Sequence, residues 1–382
     1  MSRDIIIAIN AGSSSIKATI YELGEGGQEL NELSTLELSL NGASINETAE
    51  DFVRRLREGL EEEQLVSIAH RIVQGGPKYT LPVKITESII KDLEEYMIFD
   101  REHLPLALKL IALCEQSFTQ AIQIACFDTA FFNNLPRLAQ LLPLPQQYQG
   151  VDGLRRYGFH GLSYSYLQQA FRTEAGEEAV NGRVIYAHLG SGSSLTATYQ
   201  AQPIDTTMSF TPASGIVMSS RSGDLDPGLG WYLYQKDGVT PEQFNKMMST
   251  ESGLLGISGL SADMKTLLDN ESSNQRAAEA VALFCYRVAQ AIASLSSTIG
   301  GLDSLIFSGG IGEQSSIIRG RVCSKLEFLG ISLDESRNQS HQRLISTEHS
   351  AVGVHVLPTD EAHVIASQAL EIIIHERSEH EQ

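Results

Sequence analysis

Residues 7–19 read IAINAGSSSIKAT and residues 186–198 read YAHLGSGSSLTAT, one pattern set down twice, 179 positions apart. At that offset Ala8/Ala187, Ser14/Ser193, Ser15/Ser194, Ala18/Ala197 and Thr19/Thr198 are identical, and Ile16 faces Leu195. Each copy is an apolar run, a turn of small residues, and a second alternating run, the signature of two strands joined by a tight turn. A turn able to hold phosphate, repeated half a chain apart, implies a two-lobed protein with a nucleotide held between duplicated lobes.

The chain has 382 residues, 42% hydrophobic and 20% charged, more than one core of ordinary size accommodates, so two domains are expected. Lysine and arginine number 28 against 47 acidic residues, a net charge of −19. Nucleic-acid binding needs clustered cations and an anionic membrane surface repels such a chain, so neither is expected as a partner. Cys114, Cys126, Cys285 and Cys323 lie far apart without metal-type spacing and read as buried free thiols in a reducing compartment. The apolar run in MSRDIIIAIN is too short for a signal peptide, and no 18-residue apolar span is read along the chain. A cytoplasmic globular protein is the expectation.

Residues 4–10 are β-branched like a buried strand, and the alternation over 16–21 predicts an antiparallel partner. A Walker loop would place a helix there and needs GxxxxGK[ST], which is missing. Helical periodicity covers 47–63, with Phe52, Val53, Leu56 and Leu60 on one face and Glu61–Glu63 as a solvated end. Further strands are expected at 66–73 and 122–127 and a helix at 103–118. In the second half a hairpin at 184–198, a long helix at 276–299, a strand at 303–308 entering GGIGE, a helix from 315 to 329, a strand at 351–358 and a helix at 360–377 follow.

The turn from Asn10 to Ser15 packs backbone N–H groups and three hydroxyls into a small space, with Lys17 next on the strand, and can wrap an anion. An ordinary Ser/Gly hairpin turn would look the same; the echo at 188–196 favours the anion. GGIGE at 309–313 is a third glycine-rich segment between a strand and a helix, where backbone can approach a ligand. The hydroxyl-rich stretch 205–228 holds Arg221 among serines, with Asp224 and Asp226 close behind. AHRIVQGG supplies Arg71 and RRYGFHG supplies His160, though a lone histidine is more often structural. FDTAF sets Asp128 at the end of an apolar strand, costly without a partner. Lys17, Arg71, Arg221 and His160 in so acidic a chain suit phosphoryl transfer, where positioning and charge neutralisation do most of the catalysis.

INAGSSSIK, HRIVQGGPKYT, FDTAF, RYGFHGLS, HLGSG, DTTMSFTP, RSGDLDPG, SGLLGISGLSAD, GGIGE, LEFLGISLDE and PTDEA run in one order from residue 9 to 362. With these the chain resembles the acetate kinase family, of the acetate and sugar kinase/actin-like ATPase superfamily. The resemblance implies an α/β fold of two duplicated actin-like (ribonuclease H-like) lobes with a nucleotide cleft between them. One lobe is expected to be 1–150 plus 362–382, carrying the first phosphate turn and the acyl side. The other, 151–361, would bind nucleotide and form a homodimer interface. The implied reaction moves the γ-phosphoryl of ATP to acetate or another short-chain carboxylate, giving an acyl phosphate and ADP. Asn10 and Glu361 would hold Mg²⁺ (or Mn²⁺). Lys17, Ser13 and Ser15 would meet the phosphates with the second turn, His188, Leu189, Gly190, Ser191 and Gly192. Arg71 would bind the substrate carboxylate, and Val73, Phe159 and Pro212 would form the acyl pocket. Arg221 and His160 would stabilise the in-line transition state, with Asp128 as catalytic acid, orienting substrate and arginine. Asp263, Met264 and Lys265, with Gly309, Gly310, Ile311, Gly312 and Glu313, would sit by the nucleoside. The two turns are not equivalent, because Leu189 and Thr196 stand where the first has Asn10 and Lys17. A carboxylate nucleophile needs no strong base; the difficulty is bringing two anions together, which cations answer.

The sequence departs from the family pattern in places. Its His-Asn-Pro-Ala-Asn segment is HLPLA here, after Glu102 in place of an apolar residue; FDTAFH ends in Phe132; HLGNG carries Ser191; FHGTSH has Leu162 and Tyr164; and Asp-x-Arg ends in Lys265. A propionate- or butyrate-type kinase is the nearest alternative, and a non-catalytic nucleotide-binding switch a more distant one.

Overall fold

A computed structural model describes residues 4–12, 15–24, 29–40, 44–60 and 65–380. The chain divides into two compact units. The first comprises residues 1–133, 159–166 and 360–382, the second 134–158 and 167–359. Residues 159–166, 360 and 361 thus group with the first unit and residues 134–150 with the second, where a division at 150 and 361 assigns them the other way. The cause is local: the Gly161 N–H donates to the Asp128 carbonyl, and the last helix packs on the first sheet.

The first unit holds a six-stranded sheet of β1 (Ile5–Ala11), β2 (Ser15–Leu23), β3 (Leu30–Ser39), β4 (Leu65–Ile72), β5 (Val83–Lys84) and β6 (Ile122–Phe127), in the order β3-β2-β1-β4-β6-β5. Strands β1 to β3 form an antiparallel meander, and β4 and β6 continue parallel to β1. The run of β1 is apolar throughout because both its faces are covered. Ile5, Ile7 and Ile9 pack with Phe52, Leu56, Leu106 and Leu110 from the helices Ile45–Glu58 and Leu104–Ser117. Ile6 and Ala8 pack with Ile365, Ala366 and Ala369 of the helix Glu361–His380. The first of these helices stops at Gly59, short of the end expected from periodicity, and residues 61–63 lie outside the described residues.

The second unit repeats the plan with β7 (Val184–Leu189), β8 (Ser193–Tyr199), β9 (Gln202–Thr206), β10 (Ser304–Ser308) and β11 (Gly353–Val356), in the order β11-β10-β7-β8-β9. Again a three-strand antiparallel meander is extended by two parallel strands. The duplicated ribonuclease H-like topology implied by the resemblance is therefore present. Ile185, Ala187 and Leu189 pack on the helix Gln275–Thr298. By length and composition that helix could cross a membrane, contrary to the absence of such a span expected from sequence. Half of its most apolar window is buried, in the core beneath the sheet.

Two sequence expectations need correction. GGIGE is itself the start of a short helix, Gly309–Gln314, and the helix foreseen over 315–329 covers only Ser316–Cys323 before a turn at Glu327–Leu329. Ser315 separates the two with extended dihedrals, and its hydroxyl caps the second by accepting from the Ile318 N–H. The repeat also fails to superpose across its turn. Asn10 pairs with Lys17, but Leu189 pairs with Ser193 and Thr196 with Tyr186, because the second turn is tighter.

Candidate active site

In each unit the sequence-singled residues gather at the carboxyl ends of the parallel strands, where open α/β sheets place ligands. Asn10 and Arg71 each lie one residue from the end of their strands, β1 and β4, and Asp128 follows β6. Glu361 opens the last helix, where a carboxylate suits the helix dipole.

These four form one linked cluster. Arg71 donates from Nε (3.0 Å) and Nη2 (2.6 Å) to Asp128 Oδ2, and from Nη1 (2.9 Å) to Asn10 Oδ1. Asn10 Nδ2 donates to Glu361 Oε2 at 2.6 Å, and Arg71 Nη1 lies 3.6 Å from the same oxygen. Burial works against the charge on Arg71, but the Asp128 and Glu361 carboxylates outweigh it and hold the guanidinium protonated. Asp128 is wholly buried; burial pushes its carboxyl up, Arg71 pulls it down and Glu361 adds to the rise. Its Oδ1 is buried without a partner of hydrogen-bond geometry among the described residues. A fixed guanidinium between two carboxylates is an anion clamp whose geometry is set before any ligand arrives.

Lys17 is exposed and faces Asn10 across the hairpin, so both side chains share a face. Ser15 opens β2, its carbonyl accepting from the Gly12 N–H; Ser13 lies outside the described residues. Val73 and Phe159 are buried. His160, also nearly buried, has φ +60°, a strained conformation for a side-chain-bearing residue. The adjoining Gly161 explains why the chain can turn there: a Cβ would stand 2.0 Å from the Asp128 carbonyl oxygen.

In the second unit, the turn 188–192 and the GGIGE segment are brought side by side, because β7 and β10 are neighbours with His188 opposite Ser308. Gly309 (φ +73°) lies against the Leu189 backbone, where a Cβ would meet the carbonyl oxygen at 2.7 Å. Glu313 Oε1 accepts from the Gly309 N–H at 2.9 Å, and burial raises its carboxyl. Gly310 is exposed with open space above it, beside half-buried Ile311 and buried Gly312. Gly190 is locked by Ser193, and Ser191 is exposed. Thr196, by contrast, is buried and donates to the Asp205 carbonyl, so it faces no ligand. Arg221 is nearly buried, and its Nη1 donates to the carbonyl of buried Pro212 at 3.3 Å. Asp224 and Asp226, adjacent in sequence, are taken up by loop N–H groups of Gly215 and Gly228. Asp263 caps the helix Met264–Asn270: its Oδ2 accepts from Thr266 N–H and hydroxyl, which hold the carboxyl below its usual range. Met264 is a core residue and Lys265 is exposed.

Sequence reasoning missed Gly253 and Arg319. At Gly253 (φ +62°) a Cβ would meet the Met218 and Arg221 carbonyls, so this glycine lets the arginine loop fold. Arg319 is wholly buried. Its signal was legible: it lies on the same helix stripe as Val322 and Cys323, three and four positions on, where a charge is out of place.

A duplicated ribonuclease H-like fold with such a clamp and glycine loops belongs to phosphotransferases with a carboxyl acceptor, on the actin-like scaffold. The acetate kinase of Rhodopseudomonas palustris (strain TIE-1) is 38% identical, over 95% of this chain and 97% of that protein. The solved propionate kinase of Francisella tularensis matches with TM-score 0.85 at 30% identity, over 96% of this chain and 98% of that one. The Porphyromonas gingivalis acetate kinase structure matches with TM-score 0.83 at 30% identity, over 97% of this chain and 100% of that one. Residues 5–367 match the sequence model of the acetokinase family, and the chain belongs to that family.

Proposed function

We propose that this protein transfers the γ-phosphoryl group of ATP to acetate, reversibly, giving acetyl phosphate and ADP. One carboxylate oxygen forms the new P–O bond while the bond from the γ-phosphorus to the β,γ-bridging oxygen breaks, and ADP carries off the electron pair. The observation that carries the reading is the Asn10–Arg71–Asp128–Glu361 cluster, a guanidinium fixed by two carboxylates and a carboxamide. The substrate carboxylate pairs with Arg71, and Asp128 fixes the plane of the guanidinium and the direction of attack. Lys17, His160 and Arg221 answer the charge that develops on the equatorial phosphoryl oxygens, which in phosphoryl transfer is most of the catalytic task. Val73, Phe159 and Pro212 shape the acyl end. Ser13 and Ser15 of the first turn, His188–Gly192, Asp263–Lys265 and Gly309–Glu313 serve the nucleotide.

The Arg71 cluster lies in the first unit, and His188–Gly192 and Gly309–Glu313 lie in the second. The donor set at Asn10 and Glu361 fits Mg²⁺: one carboxylate and one carboxamide are hard oxygen ligands, and Mg²⁺ ordinarily takes one or two carboxylates plus substrate phosphates. Asn10 and Glu361 would hold such an ion, which would supply positive charge to offset that of the phosphates. The protein is further read as a cytoplasmic protein and as a homodimer, the latter supported by the exposed aromatic residues Trp231, Tyr232 and Tyr234 of the helix Gly228–Asp237.

Propionate is the second reading. Glu102, in place of the family's apolar residue, is exposed beside the Asp100–His103 pair, and a structural relative is named a propionate kinase. Rates across formate, acetate, propionate and butyrate decide between them: kcat/KM highest for acetate supports the first reading, and highest for propionate the second.

A further inference from the structure

We infer that Arg319 is the positioning residue of the nucleotide loop, holding the Gly309–Glu313 segment in register with the turn at 188–192. The inference rests on the reading of that segment as part of the nucleotide site.

Arg319 is among the largest side chains with no exposed surface, yet it forms no ion pair among the described residues. Four of its five N–H donors have acceptors, and every one of these is neutral. Nε donates to Asn338 Oδ1 at 2.8 Å. Nη1 donates to the Gly312 and Glu313 carbonyls, both at 2.8 Å. Nη2 donates to the Asn338 carbonyl at 2.7 Å, while His341, whose Nδ1–H donates to the Glu313 carbonyl at 2.9 Å, lies alongside. Burial without a carboxylate lowers the guanidinium to about 10, still protonated at neutral pH. A cation kept this way is held by backbone dipoles, and a helix's last carbonyls are those that need a donor.

The position of those carbonyls makes the brace functional. The loop is pinned at one end by Glu313, which takes the Gly309 N–H, and at the other by Arg319, which takes the Gly312 and Glu313 carbonyls. Between the pins lies exposed Gly310, whose N–H stands 3.9 Å from where a Gly190 Cβ would be. Asn338 carries the brace outward: its Nδ2 donates to the Ser316 carbonyl at 2.9 Å, joining the helices Ser316–Cys323 and Glu335–Gln339. Lysine could not replace this fork, since a compact ammonium cannot reach acceptors spread around a plane.

The test is ATP affinity by isothermal titration together with separate KM values for ATP and acetate. In Arg319→Lys, with the Gly312 carbonyl left short of a donor and the Glu313 carbonyl left to His341 alone, ATP affinity and KM for ATP should worsen by about tenfold or more while KM for acetate stays near wild type. Asn338→Ala, which keeps the guanidinium but removes one acceptor, should shift the same quantities in the same direction by a smaller factor. A folded Arg319→Lys that binds ATP like wild type overturns the inference, as does an equal rise in both KM values. If Arg319→Lys does not fold, unchanged ATP affinity in Asn338→Ala overturns it. A wild-type protein that binds ATP but makes no acyl phosphate overturns the proposed function and leaves the Arg319 binding prediction intact. A wild type that binds no adenine nucleotide overturns both.

Discussion

Arg71 carries its guanidinium on three other side chains, and each was visible in the sequence only as an isolated oddity. Asp128 stood out as an acid ending an apolar strand, and its partner proves to be this arginine. The resemblance paired Asn10 with Glu361, 351 positions away, as metal ligands; what could not be read is that the two bond each other and join Arg71, a contact that depends on the last helix returning to the first sheet. Replacing Asp128 by Asn should lower kcat by at least about 100-fold while ATP affinity stays near wild type, because it frees the guanidinium to turn without touching the nucleotide loop. Steady-state kinetics with parallel titration check this. His70 is a different kind of residue. It is buried in β4 with Nε2 2.7 Å from Gln123 Oε1, and burial lowers it to about 4 from an ordinary 6.5. The unfolded chain therefore binds the proton first, and stability present above pH 6.5 is lost as pH falls toward 4. Denaturant melts should show wild type losing on the order of 2 kcal/mol between pH 7 and pH 5 that His70→Gln does not lose. An equal loss in both proteins would contradict the assignment.

At the scale of elements, strands were legible because alternation and β-branching report burial of a strand's faces, and β1, β2, β7 and β8 fall where the repeat put them. The helices around GGIGE were less so. Ser315 breaks the periodic stretch with a conformation that local composition does not announce. The departures from the family pattern also gain meaning as elements pack. Phe132 and Tyr164 stand where the family has histidines, and here their rings meet edge to face, 6.0 Å apart at 83°. Leu162, a third departure, lies in the core against the last helix. These changes therefore repack one corner together and leave the linked cluster intact. Phe132→His and Tyr164→His should each destabilise the protein, and a double-mutant cycle by thermal melt should find about 0.5–1.5 kcal/mol of coupling. Additive effects would show that the two rings act independently.

For the whole molecule, the repeat foretold two units of one topology, and two sheets with the same meander-plus-parallel order bear that out. It could not foretell that the two hairpins differ in register, which leaves only the first with the Asn10–Lys17 pair on one face. Duplication thus supplied two scaffolds, and later divergence gave them different chemistry. The exposed aromatic residues of Gly228–Asp237 belong to this scale too. Light scattering should give twice the 41.7 kDa chain mass, and Trp231→Asp should shift the population toward monomer. The account as a whole stands on carboxyl phosphorylation at the Arg71 cluster. It is tested most directly by trapping the product with hydroxylamine in the presence of ATP, Mg²⁺ and acetate or propionate. Wild type should yield the acyl hydroxamate in step with ADP, and Arg71→Ala, still able to bind ATP, should yield almost none. ADP release without hydroxamate from either acid, or undiminished hydroxamate from Arg71→Ala, would contradict it.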